Sequence, residues 1–193
     1  MDLGFEPLRE GDLPLLASWL ARPHVERWWR EPTDLACVQA RYRPLVEGTD
    51  PTEGLVVMLD ARPIGFVQRY RLLSDPEWLA VLPSALNQAS GFGLDYLIGD
   101  ATLVGRGIGR RMIATVVARS WARYPDDQWC VVALQQDNIA SWKALEACGF
   151  ERDWSGQLPS SHPSDRGPSF IYRLGRPGAG SGDGAADRAR PGP

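Results

Sequence analysis

The chain has almost no lysine. Of 21 basic residues only Lys143 is a lysine, and 24 acidic residues leave a net charge of −3. A broad nucleic-acid surface needs a strong basic excess, so no nucleic-acid partner is expected. Cysteine is scarce as well. Cys37, Cys130 and Cys148 lie far apart in apolar surroundings. That spacing makes neither a disulfide framework nor a zinc site, and no metal is expected. The chain also lacks any run of about 18 apolar residues, so no spanning helix and no membrane partner are expected. Its first residues, Met-Asp-Leu-Gly-Phe-Glu, lack the basic stretch and apolar run of an export signal. The expected location is cytoplasmic. What remains is an ordinary soluble composition, 44% hydrophobic and 23% charged, over 193 residues. That length suits one domain with a sizeable core, over residues 1–175. From residue 176 to 193 the chain is Gly, Ala, Pro, Asp, Ser and Arg, which cannot form a core and reads as a disordered tail.

Residues 3–8 read as a first strand. Asp12 caps a helix in which Leu13, Leu16, Trp19 and Leu20 recur at helical spacing, and Pro23 ends it. A short helix or tight loop follows at residues 24–29. Thr33 is the expected cap of a second helix with Leu35, Val38, Tyr42, Leu45 and Val46 on one face. Two strands flank the Asp60–Pro63 turn, and period-two alternation puts Ile64, Phe66, Gln68 and Tyr70 on one face of the second. Residues 74–90 have no clean period and read as a long loop, with room for a short helix. Another strand spans residues 129–134. A helix opens at Asp137-Asn138, with Ile139, Trp142 and Leu145 inward, and closes at Gly149. Two strands near residues 151–157 and 169–174 flank a polar loop bearing His162 and Asp165.

The centre of the chain is residues 91–109. Residues 94–98 read as a buried strand containing one carboxylate, Asp95, and an acid in so apolar a strand is unusual. Gly105, Gly107 and Gly109 then alternate at the start of a helix over about residues 108–123. A helix start presents unpaired N–H groups and the positive end of the dipole, which suits a phosphate. The order of elements calls for an α/β (α+β) fold, a mixed sheet with helices on both faces.

The residues Val104-Gly105-Arg106-Gly107-Ile108-Gly109, then a helix, a strand, Asn138 and Glu146-Ala147-Cys148-Gly149-Phe150, resemble the acetyl-CoA-binding core of the GNAT N-acetyltransferases. The resemblance covers most of residues 3–174 and implies a sheet of about seven strands. A narrower likeness is spread over the other half. Trp19-Leu20, His24-Val25, Trp28-Trp29, Val38-Gln39 with Tyr42, Pro63-Ile64-Gly65 with Gln68 and Tyr70, and Leu94-Asp95 are similar to the bacterial aminoglycoside 6′-N-acetyltransferases. The acetyltransferases of hydroxamate siderophore synthesis share the His…Trp-Trp region but are expected to carry His in place of Asp95.

The resemblance implies roles. The backbone of Val104, Gly105, Arg106, Gly107, Ile108, Gly109 and Arg110 would hold the pyrophosphate of acetyl-CoA, with charge from Arg106, Arg110 or Arg111. The strand at Tyr96, Leu97 and Ile98 would pair with the pantetheine arm, and a backbone N–H there would polarise the thioester carbonyl. Asn138 and Ser141 would contact the cofactor arm. Asp95 would bind the acceptor ammonium and take its proton. Trp28 and Trp29, with Tyr42, Gln68 and Asp165, are the candidates for the acceptor pocket; of the two tryptophans, Trp29 is expected to line it and Trp28 to belong to the core.

Two positions depart from the family pattern. Leu145 stands where many GNAT enzymes have a tyrosine able to protonate the departing thiolate. Ala133 stands where an acid is expected, and Asp75 and Glu77 are the only acids before Asp95 that the pattern supplies. Fewer acids predict weaker attraction for a highly charged aminoglycoside. The implied activity is acetylation of an aminoglycoside amine, conferring antibiotic resistance. Alternatives are a less charged acceptor such as kasugamycin, acylation of N-hydroxylysine in siderophore synthesis, and a non-catalytic acyl-CoA-binding sensor. A monomer or a homodimer is expected.

Overall fold

The computed structural model describes residues 2–84 and 90–178. Seven strands form one sheet: β1 (Leu3–Pro7), β2 (Glu53–Leu59), β3 (Arg62–Arg71), β4 (Gly91–Ile98), β5 (Trp129–Gln135), β6 (Glu151–Gln157) and β7 (Pro168–Gly175). Their order across the sheet is β1-β2-β3-β4-β5-β7-β6. The helices are α1 (Leu13–Leu20), α2 (Pro23–Trp29), α3 (Leu35–Glu47), α4 (Pro76–Val81), α5 (Ile108–Arg123) and α6 (Ile139–Glu146). This is the seven-stranded mixed sheet the sequence calls for.

Alternation along the strands sends successive side chains to opposite faces. On one face Val57, Val67, Phe92 and Leu94 pack under Met112, Ile113 and Val116 of α5 and Leu145 of α6. On the other, Val56, Phe66 and Leu97 pack under Leu13, Leu16 and Leu20 of α1 and Val38 and Tyr42 of α3. Farther along that second face, Val131 and Ile171 meet Leu72 and Leu82, with Trp78 and Leu79 of α4 against them. Each fully buried side chain of this kind contributes about 1.5–3 kcal/mol.

All neighbouring strands are antiparallel except β4 and β5. These two are parallel and pair only at Gly91–Trp129, Phe92–Cys130 and Gly93–Val131. Beyond Gly93 each stays with its outer neighbour, β4 with β3 and β5 with β7. The sheet therefore splits at its centre, and the rest of β4 has a free edge facing the gap.

Several local expectations change. Asp34, not Thr33, caps α3, its Oδ1 accepting the Cys37 N–H at 3.0 Å. Leu35 and Ile139 are the first residues of α3 and α6 and lie beyond the packed surfaces, 43% and 52% exposed. Ile64 does not share a face with Phe66. The β2–β3 register steps from Val57–Gly65 to Met58–Pro63 and leaves Ile64 as an extra residue. This bulge turns Ile64 into the α5 side of the core while Phe66 stays on the α1 side. The expected loop after β3 contains α4, and residues 85–89 lie outside the described residues. Of the expected tail, residues 179–193 lie outside as well. Its first residue, Arg176, is tied to the fold: its side chain donates to the carbonyls of Asp127, Trp121 and Tyr124 and stacks 4.7 Å over the Trp121 ring.

Candidate active site

The site is built around the split between β4 and β5. The Gly99 N–H donates to the Ile64 carbonyl at 2.8 Å. Hydrogen-bonded pairs recur at every second residue of an antiparallel ladder, so Leu97 and Asp95 spend their backbone groups on Phe66 and Gln68. Leu94, Tyr96 and Ile98 turn theirs toward the gap. The side chains alternate in the same way. Asp95 and Leu97 face the α1–α4 side; Leu94, Tyr96 and Ile98 face α5 and α6. This removes Leu97 from the expected cofactor contacts: its side chain is 6% exposed in the core and its backbone belongs to β3. Ile98 keeps its N–H for the gap, but its carbonyl meets His24 Nε2 at 2.9 Å. Arg22 Nη1 donates to the Gly99 carbonyl at 2.8 Å, so the α1–α2 corner pins the end of β4.

A cleft of about 550 Å³ runs through the gap and joins both faces. Asp95 lies in it with Gln68, its partner across the ladder. Four more carboxylates line it: Glu31, Asp75, Glu77 and Asp165. Arg41 and His162 are the basic side chains among them. Burial raises the Asp95 pKa to about 7, and the negative charges of Asp165 and Glu31 add to the effect while Arg41 opposes it. A carboxyl so tuned changes charge near neutral pH, which suits a general base.

Aromatic walls complete the α1–α4 side of the cleft. Trp28, Trp29, Tyr70 and Trp78 line the cleft. Trp28 is therefore a wall and not a core residue; Arg27 stacks 4.3 Å from its ring. Gly93 makes room for Tyr70, since a Cβ there would come within 2.5 Å of the Tyr70 ring. Tyr42 does not line the cleft. The apolar face of α3 carries it into the core, 1% exposed, against the edge of the Phe66 ring. Its hydroxyl instead donates to Glu31 Oε2 at 2.7 Å and accepts from Trp29 Nε1 at 3.0 Å. Burial, then the Glu31 charge, holds its pKa well above the usual tyrosine range, so it stays a donor. Tyr42 thus positions two cleft residues from behind. Tyr42→Phe is expected to weaken binding of a cationic ligand beside Glu31 several-fold while leaving ligand binding at the α5 N-terminus unchanged, as titration calorimetry will show. Asp165 is held in turn by Ser160, whose Oγ donates to Oδ2 at 2.6 Å.

On the other side of the gap, β4 leads into a 3₁₀ turn at Ala101–Leu103, capped by Asp100 Oδ1 accepting the Thr102 N–H at 3.0 Å. Gly105 and Gly107 then both adopt φ +77, a left-handed conformation, and a Cβ on either would meet nothing within 4 Å. Gly107 is the N-cap of α5, and the Arg111 N–H makes the first helical bond, to the Gly107 carbonyl at 3.2 Å. The N–H groups of Ile108, Gly109 and Arg110 therefore have no helical acceptor. Val104, Gly105, Arg106, Gly107 and Arg110 are exposed, whereas the Ile108 side chain is buried and anchors the turn. Side-chain-free space, open donors, a helix N-terminus and flanking arginines fit a pyrophosphate. Asn138 lines the cleft and caps α6, its Oδ1 accepting the Ser141 N–H at 3.4 Å. Ser141 Oγ lies 2.7 Å from the Tyr96 hydroxyl, and both side chains line the cleft.

Residues 9–158 match the family model described as an acetyltransferase (GNAT) domain. With a split sheet and a glycine-rich α5 N-terminus in place, the chain belongs to the GNAT acetyltransferases and is an enzyme of that class. Within it, the chain falls in the aminoglycoside N-acetyltransferase family. It is 30% identical over 162 residues to the aminoglycoside N(6′)-acetyltransferase type 1 of Klebsiella pneumoniae, covering 79% of this chain and 75% of the relative. The same figures hold for the type 1 enzyme of Serratia marcescens. Among solved structures, the aminoglycoside acetyltransferase AAC(6′)-Ib in complex with coenzyme A and kanamycin superposes with a TM-score of 0.75 at 26% identity, covering 91% of this chain and 95% of that one. Its coenzyme A complex gives 0.76 at 25% identity, with the same coverage.

Sequence reasoning missed Glu31, Arg41, Tyr70, Trp78 and Gln135 as cleft residues. Glu31 follows the Trp28-Trp29 pair by two positions, which was its only signal. Tyr70 had a signal too, sharing the alternating face of β3 with Gln68; Arg41, Trp78 and Gln135 become neighbours only through the tertiary fold. Among the described residues, no helix is long and apolar enough to cross a membrane.

Proposed function

We propose that this chain transfers the acetyl group of acetyl-CoA to a primary amine of an aminoglycoside, the 6′-amine, and thereby confers resistance to it. The observation that carries the reading is the set of five carboxylates, Glu31, Asp75, Glu77, Asp95 and Asp165, converging on one aromatic-walled cleft that opens at the free edge of β4. A polycationic sugar matches that charge, and flat rings offer surfaces for it. Glu31 and Asp165 add acids where Ala133 supplies none, and Arg41, 3.6 Å from Glu31, offsets part of that charge.

Acetyl-CoA supplies an acyl group already activated as a thioester. The open N–H groups of Ile108, Gly109 and Arg110 and the arginines beside them would hold its pyrophosphate. The gap-facing backbone of Tyr96 would pair with its amide-bearing arm as an added strand, and the N–H there would polarise the thioester carbonyl. Asp95 would bind the acceptor ammonium, orient it, and take one proton. The usual aspartate, with a pKa of about 3.9, is a poor base for an amine; a carboxyl raised to about 7 narrows that mismatch.

A panel assay of CoA release tests the reading, with kanamycin, tobramycin, kasugamycin and N-hydroxylysine as acceptors. Turnover of kanamycin and tobramycin supports it. Turnover of kasugamycin alone places the acceptor among weakly charged aminoglycosides, and turnover of N-hydroxylysine alone overturns it.

A further inference from the structure

We propose that the Tyr96 hydroxyl, oriented by Ser141, donates a hydrogen bond to the leaving sulfur as the thioester breaks. The inference rests on the acetyl-CoA reading above. In the transfer, the amine freed of one proton by Asp95 forms the new C–N bond. The C–S bond breaks and its electron pair goes to sulfur. The second amine proton leaves to water as the amide forms. The thiolate produced needs a donor at the point where the chain's two sides meet.

Tyr96 is placed for this. It follows Asp95 directly on β4, so the two Cα atoms are about 3.8 Å apart while their side chains leave on opposite faces. Asp95 serves the acceptor side and Tyr96 the cofactor side, and both line the same cleft. Of the cleft hydroxyls, Tyr96 and Ser141 are the two that come from the α5–α6 side. Their oxygens are 2.7 Å apart. The Ser141 N–H is spent on Asn138. Either oxygen can be the donor in this pair; with Ser141 donating to Tyr96 Oη, the tyrosine proton is left for the cleft, and that is the arrangement the proposal requires.

Leu145 lies one turn along α6 on the same face as Ser141, is fully buried, and carries no donor. Side chains on a helix lean back over the preceding turn. A hydroxyl brought by a longer side chain at 145 would lie over the turn of Ser141, and Tyr96 delivers one to that turn from the strand. Burial pushes the Tyr96 phenol well above its usual pKa, with the Ser141 contact opposing. The phenol therefore keeps its proton and acts as a hydrogen-bond donor, not as an acid.

The test uses the thiol of bound CoA. In the binary complex its pKa is read from the ultraviolet absorbance of the thiolate, for wild type, Tyr96→Phe and Ser141→Ala. Tyr96→Phe is expected to raise that pKa by about one unit, equivalent to tenfold. It is expected to weaken CoA but not desulfo-CoA, and to lower kcat for kanamycin about tenfold. That is less than the about 10²–10³ for an oxyanion donor, because sulfur is the weaker acceptor. Ser141→Ala moves the thiol pKa the same way by less. An unchanged thiol pKa in Tyr96→Phe, or in Ser141→Ala where the first variant does not fold, overturns the proposal. A parallel loss of CoA and desulfo-CoA affinity marks a packing role and also overturns it. A low thiol pKa in a wild type that leaves kanamycin untouched supports Tyr96 and counts against the acceptor reading instead.

Discussion

Asp95→Asn is expected to lower kcat/KM for the amine acceptor by about 10²–10⁴, the range spanned by loss of a positioned general base. Acetyl-CoA affinity should not change, because Asp95 faces away from the α5 N-terminus. In the wild type, kcat/KM should rise with pH through about 7, as the Asp95 carboxyl loses its proton and becomes able to bind and deprotonate the ammonium. The variant should lack that limb. Stability moves the other way. The folded pKa of Asp95 lies above its unfolded value, so the folded state binds the extra proton between the two. The Asp95 contribution to wild-type stability therefore falls as pH rises from about 4 to about 7 and is flat above. Asparagine carries no charge to bury. The melting temperature of Asp95→Asn should exceed that of wild type at pH 8 and match it near pH 3.

Gly107→Val should weaken CoA binding about thirtyfold, with a smaller effect on kcat. A non-glycine residue in the left-handed region costs about 1–2 kcal/mol, and a branched one is a sharper outlier. Here φ is +77 and the position is the N-cap of α5. Relaxing that strain moves the N–H groups off their convergence, and the branched side chain occupies the open space in front of them. Calorimetric titration with CoA measures the loss. Gly11→Ala is a matched control: that glycine also faces open space but has no positive φ, and CoA affinity should be unaffected.

Local chemistry explains which parts of this architecture were readable in the chain. The start of α5 was readable because alternating glycines before an apolar run have a steric meaning that does not depend on distant residues. Asp95 stood out because a carboxylate in an apolar strand is anomalous wherever that strand sits. Tyr42 shows the limit. Its helical spacing with Val38 placed it on an apolar face, and that face is core; the link from its hydroxyl to Glu31 is a tertiary fact. Ile64 shows another limit, since period-two reasoning assumes a regular pleat and the β2–β3 bulge breaks it. Trp78 and Asp165 join Asp95 only because β5 and β7 follow β4 in the sheet. No spacing in the chain encodes that order. The pairing of Tyr96 with Ser141 across 45 residues was hidden for the same reason.

The most direct test of the account is the site of acetylation on kanamycin. The chain, acetyl-CoA and kanamycin are incubated to completion, and the product is analysed by mass spectrometry and NMR. One acetyl group on the 6′-amine, formed by wild type and lost with Asp95→Asn, is the predicted result. Kanamycin recovered unmodified under saturating acetyl-CoA, or acetylated equally well by Asp95→Asn, would contradict it.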